Sequence, residues 1–121
     1  IAEYFIWYDD TEYSIRIRKV SQIININKAK LDHKTVGIDY SEDRFNWKMY
    51  YGYRNRLDVI KRHYSVSAVI VEIGRIISIA FQNLQLFKHR VSWDDGIYNI
   101  RLCFDAVNDF LKHNFGRHPR Y

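Results

Sequence analysis

Between residues 66 and 84, apolar side chains recur at every third or fourth position, which is the spacing of one face of an α-helix. The positions are Val66, Val69, Ile70, Ile73, Ile76, Ile77, Ala80, Phe81 and Leu84. Such a stretch predicts a helix of about five turns. The additional apolar residues Val71, Ile79 and Leu86 make its apolar surface wider than one neighbouring helix covers. Coverage by two flanking helices, a missing part of a longer protein, a second subunit or a membrane surface would each fit this pattern.

Two more helices are predicted, one on each side of this segment. The earlier one carries an apolar and aromatic face formed by Trp47, Tyr50, Tyr51, Leu57, Ile60 and Tyr64. The later one is expected to begin after Ser92, whose hydroxyl can cap it together with Asp95 three residues on. Gly116 is expected to end it, with Pro119 as a second stop signal. The second half of the chain is therefore predicted to be a helical subdomain of about three helices.

The first 46 residues have a less regular pattern. Residues 9–20 place acidic side chains at the start and cations at the end, which favours a short helix through its macrodipole. The β-branched residues within 22–27 predict a short strand, and residues 34–46 are expected to form a loop. The predicted fold is mostly α with a short β segment, divided into residues 1–46 and the helical subdomain 47–121.

Composition limits the possible partners and compartments. The net charge of +5 among 121 residues favours anionic partners, although an excess of this size is common on proteins that bind none. The single cysteine, Cys103, excludes an internal disulfide and indicates a reducing compartment. Polar residues interrupt the apolar stretch 66–87, so a membrane-spanning helix is not expected. We expect a cytoplasmic protein whose aromatic and basic residues allow peripheral contact with the inner face of a membrane.

Three carboxylates, Asp9, Asp10 and Glu12, lie within four positions, directly after the aromatic residues Phe5, Trp7 and Tyr8. Carboxylates this close repel one another, which favours one that accepts a proton as a general base. The plainer interpretation is a solvated acidic first turn of a helix, where such residues are common. The aromatic residues either form the wall of a pocket for a sugar ring or belong to the core.

His33 is the other isolated feature of this half. Its neighbours supply no second metal ligand at a recognisable local spacing, so an ion at this position would need ligands from elsewhere in the fold. The commonest role of such a residue is that of a surface or hydrogen-bonded imidazole.

Three ordered blocks together resemble the C-terminal part of family-two inverting glycosyltransferases, and most closely the bacterial galactofuranosyltransferases and rhamnosyltransferases. The blocks are Phe5-Ile6-Trp7-Tyr8-Asp9-Asp10-Thr11-Glu12-Tyr13-Ser14-Ile15-Arg16, then His33, then Trp47-Lys48-Met49-Tyr50-Tyr51-Gly52-Tyr53-Arg54-Asn55-Arg56-Leu57. The resemblance covers residues 4–119, since the closing run 115–119 also looks like the tail of that family.

The resemblance implies a GT-A fold and an enzyme that uses an acidic residue of the first block to deprotonate an acceptor hydroxyl. By position this catalytic base is Asp10. Asp9 and Glu12 would position acceptor and base, and Trp7 would contact substrate. Tyr50, Arg54 and Asn55 would lie near the site, with Arg54 facing phosphate charge. His33 matches a ligand of the divalent cation, Mn²⁺ or Mg²⁺, that stabilises the departing diphosphate.

The implied partners are a nucleotide-sugar donor and a glycan or lipid-linked acceptor in cell-surface polysaccharide synthesis, with galactofuranose or rhamnose as the favoured sugar. The chain has no Asp-x-Asp pair and no glycine-rich βαβ segment, the parts that would bind the donor. We therefore expect a C-terminal fragment of a longer GT-A transferase, inactive without its N-terminal donor-binding half. The wide apolar surface also allows a homo-oligomer.

A second hypothesis belongs to another class of protein. A small basic helical module could bind nucleic acid, with arginine and lysine on phosphates and tyrosine stacked on bases. The pattern of Tyr50, Tyr51, Leu57 and Ile60 predicts that these residues face inward, and no DNA-binding motif is recognisable. We therefore expect no nucleic-acid partner.

Overall fold

The computed structural model describes residues 2–30, 32, 44–86 and 92–121. A short 3₁₀ helix, Ala2–Tyr4, is followed by four α-helices. They are α1 (Asp9–Ile17), α2 (Lys48–His63), α3 (Val66–Leu86) and α4 (Trp93–Leu111). The prediction of a mostly α fold is confirmed, and the three helices expected in the second half lie close to their predicted positions.

The predicted strand over residues 22–27 is not confirmed. Residues 18–30 are exposed, and within the described part of the chain no segment pairs with them as a strand. A single extended segment has no ladder to satisfy its backbone groups, so β-branched composition alone does not make a strand.

The two ends of α4 follow different rules. The Ser92 hydroxyl accepts the backbone N–H of Asp95 at 3.2 Å and donates to its carboxylate at 2.6 Å, as the sequence predicts. The helix ends at Leu111, five residues before Gly116. His113 adopts a left-handed φ of 55°, and the N–H of Asn114 donates to the carbonyl of Asp109 at 2.8 Å. This Schellman-type bonding satisfies the last carbonyls without a glycine.

The most enclosed helix is α2. Residues 50–55 and 57–59 are all buried, because α3, α4, the N-terminal segment and the C-terminal tail surround the helix. Tyr50, Tyr51 and Leu57 form the core with Ile76 of α3 and Leu102 of α4. The flanking helices leave one side of α3 uncovered, so the predicted wide apolar surface is exposed on this chain at Val66, Ile70, Val71 and Phe81.

Both ends of the chain are anchored on α2. The hydroxyl of Tyr51 donates to the carbonyl of Tyr121 at 2.9 Å and accepts the N–H of His118 at 2.9 Å. The hydroxyl of Tyr4 donates to the carboxylate of Asp58 at 2.7 Å. The segment before α1 is thus bonded to α2 across the predicted boundary between residues 46 and 47. Among the described residues, no helix combines the length and apolar character needed to cross a lipid bilayer.

Candidate functional site

The turn that leads into α1 has an unusual backbone. Phe5, Trp7 and Tyr8 have φ values of 62°, 62° and 68°. Bulky residues rarely adopt this left-handed region, because the side chain then crowds the backbone. Each such residue costs about 1–3 kcal/mol and persists only where its surroundings hold it in place. Strain of this kind is concentrated at functional sites, and here it directly precedes the acidic residues.

Asn55 of α2 holds this turn. Its side-chain amide donates to the carbonyls of Tyr4 at 3.0 Å, Ile6 at 2.9 Å and Trp7 at 3.1 Å. The side chain is fully buried, and its carbonyl oxygen accepts the Nε–H of Arg54 at 3.1 Å. Because all its polar atoms bond within the chain, Asn55 positions the turn and does not offer a surface to substrate.

Gly52 allows the Trp7 ring to lie directly on α2. A Cβ atom at this position would lie 2.8 Å from Cε3 of Trp7, closer than real side chains approach. Only glycine therefore leaves room for the ring in its observed place. The sequence shows this glycine in the middle of a helical pattern, where its usual cost of about 1 kcal/mol relative to alanine is a signal of close packing.

The three carboxylates are divided between solvent and interior. Asp9 and Asp10 are exposed in the first turn of α1, whereas Glu12 is only 3% exposed. The Oδ1 atom of Asp10 accepts the backbone N–H of Thr11 at 2.6 Å, and no described residue bonds to its Oδ2 atom. Glu12 lies 3.3 Å from Nε2 of His63 and 3.4 Å from Nε of Arg16. Of the three, only Asp9 and Asp10 can meet a ligand directly.

Arg54 and Tyr50 have structural partners, in contrast to the expectation that they contact substrate. The residue Arg54 is only 1% exposed. Its Nη1 atom donates to the carbonyl of Gly116 at 2.9 Å and to the Tyr50 hydroxyl at 3.3 Å. Its guanidinium also lies 5.1–5.2 Å from the ring centres of Tyr50, Tyr51 and Phe115. The Tyr50 hydroxyl donates to Asp109, and burial raises the pKa of this phenol. These contacts tie the C-terminal tail to α2.

The predicted metal ligand His33 lies outside the described residues. Within the described ranges, no group of three or more histidine, cysteine, aspartate or glutamate side chains is arranged to hold a metal ion. Those residues therefore do not form a divalent-cation site by themselves.

A concave pocket of about 390 Å³ lies beside the strained turn. Its lining consists of three aromatic side chains, two arginines, a methionine and a glycine: Trp7, Tyr8, Met49, Gly52, Tyr53, Arg56 and Arg75. An adjoining pocket of about 340 Å³ shares Tyr8 and Arg56, and Thr11 lies in its wall. The two pockets thus meet at Tyr8 and Arg56, and Thr11, the residue after Asp10, belongs to the second.

The two arginines of the first pocket are held by one carboxylate. Nε of Arg56 lies 2.8 Å from Oε1 of Glu72, and Nε of Arg75 donates to the same atom at 3.0 Å. The Arg56 Nη1–H also donates to the Tyr8 hydroxyl at 3.2 Å. These bonds raise the pKa of both guanidinium groups, with the Tyr8 hydroxyl as the largest cause at Arg56 and Glu72 at Arg75. Both arginines are therefore permanently charged.

Sequence reasoning assigned no role to Arg56, Glu72 or Arg75. The three residues come from two helices, and the only local signal is the three-residue spacing of Glu72 and Arg75 on α3. That spacing is common on solvated helices, so it does not indicate a pocket by itself. The sequence did place Trp7 and Tyr8 beside the carboxylates, and the structure assigns these two rings to the pocket wall.

Comparison with known proteins finds no matching family model, no curated protein of similar sequence and no matching solved structure.

Proposed function

We propose that this chain is part of an inverting GT-A glycosyltransferase, and that Asp10 is its catalytic base. The observation that carries the proposal is the strained aromatic turn, which α2 holds directly before Asp10 through the amide of Asn55. Residues held in strained backbone conformations cluster at functional positions. The resemblance in the residues around Asp10 supplies the reaction class.

In the proposed reaction the carboxylate of Asp10 accepts the proton of an acceptor hydroxyl. The hydroxyl oxygen forms a bond to the anomeric carbon of the donor sugar as the bond from that carbon to the diphosphate oxygen breaks. The diphosphate leaves with the electron pair on the opposite face, so the configuration inverts. Asp10 is exposed, and its Oδ2 atom has no competing partner in the described part of the chain, which supports this role.

The pocket lined by Trp7 supports an acceptor sugar near the start of α1, because the adjoining pocket that shares Tyr8 and Arg56 has Thr11 in its wall. Aromatic rings offer flat apolar faces, and about 390 Å³ is within the usual range of small-ligand sites. Asp9 has the exposure required to orient a hydroxyl group. Glu12 has the different role of a buried partner of His63, and it steadies α1 against α2.

The proposal includes a donor-binding half before residue 1 and a Mn²⁺ or Mg²⁺ ion on the leaving diphosphate. The favoured sugars are galactofuranose and rhamnose, transferred to a glycan or lipid-linked acceptor. None of the described residues is assigned to the ion.

The nucleic-acid hypothesis gains no support from the tyrosines of α2. It requires accessible tyrosines beside unpaired cations, and Tyr50, Tyr51 and Tyr53 of the basic segment are buried.

The decisive experiment compares Asp10→Asn with Asp94→Asn in the transferase that contains this chain. Asp94 is a matched control, because it is also an exposed aspartate in the first turn of a helix. We expect Asp10→Asn to lower kcat by about a hundredfold to ten-thousandfold with an unchanged donor KM, because a positioned general base contributes about 10²–10⁴ in rate. Asp94→Asn should stay within about twofold of the wild type. Comparable turnover in Asp10→Asn, measured with a panel of nucleotide-sugars, would contradict the assignment.

A further inference from the structure

The strongest unassigned feature is the charge balance of the pocket beside Trp7. Arg56 and Arg75 together carry two positive charges, and Glu72 supplies one negative charge between them. The Glu72 side chain is 7% exposed, whereas the side chains of Arg56 and Arg75 are 44% and 45% exposed. The carboxylate is thus buried beneath two accessible guanidinium groups, which leaves a local excess of one positive charge at the pocket wall.

Both guanidinium groups are held in place and still have unused donors. Arg75 contacts Glu72 through Nε and Nη2, which leaves Nη1 without a partner among the described residues. Arg56 donates from Nη1 to the Tyr8 hydroxyl, and its buried Nε lies 2.8 Å from Glu72 without forming a hydrogen bond, so Nε and Nη2 both lack an acceptor among the described residues. A guanidinium that is already oriented loses little conformational entropy when it binds an anion, so these N–H groups form a preorganised anion site.

The rest of the pocket wall is aromatic. Trp7, Tyr8 and Tyr53 line it, and Gly52 lets the Trp7 ring approach α2 closely. A ligand that fits this arrangement has an apolar ring face and an anionic group a short distance from it. A sugar that carries a phosphate group meets both requirements.

We propose that this pocket binds a glycosyl phosphate, with its phosphate on Arg56 and Arg75 and its sugar ring against Trp7. The two arginines come from different helices, α2 and α3, and can approach a tetrahedral phosphate from two directions. A planar carboxylate would be satisfied by a single guanidinium fork. The identification of this pocket as the acceptor subsite of the transferase rests on the proposed function. Binding of a glycosyl phosphate to the pocket does not itself require catalysis.

The test is a titration of the 121-residue chain with glucose 1-phosphate, glucose, inorganic phosphate and glucuronate. Binding is followed by calorimetry and by the indole N–H resonance of Trp7, which is assigned with Trp47→Phe and Trp93→Phe. We expect saturable binding of glucose 1-phosphate with a shift of the Trp7 resonance. The other three ligands should bind at least about tenfold more weakly, because each lacks the ring, the phosphate or the phosphate geometry.

Variants of the two arginines test the assigned contacts. Arg56→Gln and Arg75→Gln should each weaken glucose 1-phosphate binding by about tenfold or more. Arg75→Lys should weaken it as well, since lysine keeps the charge but loses the planar fork. Arg120→Gln is the matched control and should leave binding unchanged. Like Arg75, Arg120 is a partly exposed arginine on a single carboxylate, that of Asp105 at 2.7 Å, but it lies outside this pocket.

The outcomes separate this proposal from the catalytic one. Unchanged affinity in both Arg75 variants, with the fold confirmed by amide resonances, would overturn the phosphate subsite. Glucuronate binding as tight as that of glucose 1-phosphate, or a Trp7 resonance that does not move at saturation, would overturn it too. Asp10→Asn should bind glucose 1-phosphate normally. If glucose 1-phosphate does not bind but turnover still depends on Asp10, only the present proposal is refuted. If glucose 1-phosphate binds normally but turnover does not depend on Asp10, only the catalytic proposal is refuted.

Discussion

Replacing Asn55 with alanine tests whether α2 holds the strained turn. The substitution removes two amide hydrogens that serve three backbone carbonyls, and one oxygen that accepts the Nε–H of Arg54. A typical hydrogen bond contributes about 1 kcal/mol net, and buried groups left without partners add to the loss. We therefore expect the free energy of unfolding to fall by about 3 kcal/mol, a large share of the roughly 5–15 kcal/mol that stabilises a domain.

Urea denaturation measures this loss. With an m value of about 1.5 kcal/mol/M, the unfolding midpoint of Asn55→Ala should fall by about 2 M. The turn should also relax, because the left-handed conformations cost about 1–3 kcal/mol each and lose their restraint. The indole resonance of Trp7 reports this second effect, since its ring would leave the surface of Gly52.

Asn108→Ala is the control for Asn55→Ala. Asn108 is an exposed helical asparagine whose amide makes one long contact of 3.5 Å, with the carboxylate of Asp109. Its substitution should change the free energy of unfolding by no more than about 0.5 kcal/mol. An equally small change in Asn55→Ala, with the Trp7 resonance unmoved, would refute the argument that this side chain maintains the turn.

Two further predictions concern α2. Gly52→Ala should lower the free energy of unfolding by about 1–3 kcal/mol and displace Trp7, whereas Gly74→Ala, whose Cβ would enter open space, should be neutral or stabilising. Thermal unfolding and the Trp7 indole resonance measure the two effects. Equal behaviour of the two variants would contradict the close approach of Trp7 to Gly52. Burial raises the pKa of Tyr53 from 10.0 to about 12 and also raises that of Tyr50, so the native state favours the protonated phenols. The contribution of Tyr53 to stability is complete below the unfolded-state pKa of about 10 and is lost as the pH rises through about 12. Urea midpoints measured across this range should decline in the wild type, and the part of the decline that belongs to Tyr53 should be absent in Tyr53→Phe.

Local patterns in the sequence predicted the helices well because each helix carries its own signal. The apolar period of residues 66–84 falls within α3, and Ser92 with Asp95 marks the start of α4. The same reasoning failed at the end of α4, because His113 adopts the left-handed conformation that glycine was expected to supply. It also proposed a strand whose existence depends on a partner, which local sequence does not contain.

The candidate site was only half predictable for a related reason. Trp7, Tyr8 and Asp10 are neighbours in the chain, so their proximity is visible in the sequence. The sequence predicts substrate contacts at Tyr50, Arg54 and Asn55. Whether such side chains bind a ligand or the protein's own backbone depends on which surfaces cover α2. Burial decided that question, since Arg54 and Asn55 bond to the chain's own carbonyls.

The amino-acid sequence by itself determined where the helices lie and that an acidic turn follows an aromatic one, because helical period, capping and charge act between residues close along the chain. Only the tertiary structure decided that Asn55 restrains that turn, that Gly52 admits the Trp7 ring, and that Arg56 and Arg75 share Glu72. These contacts join residues brought together by the packing of α2 with α3 and the N-terminal segment. Their energies depend on distance and burial in space, which separation along the chain does not specify.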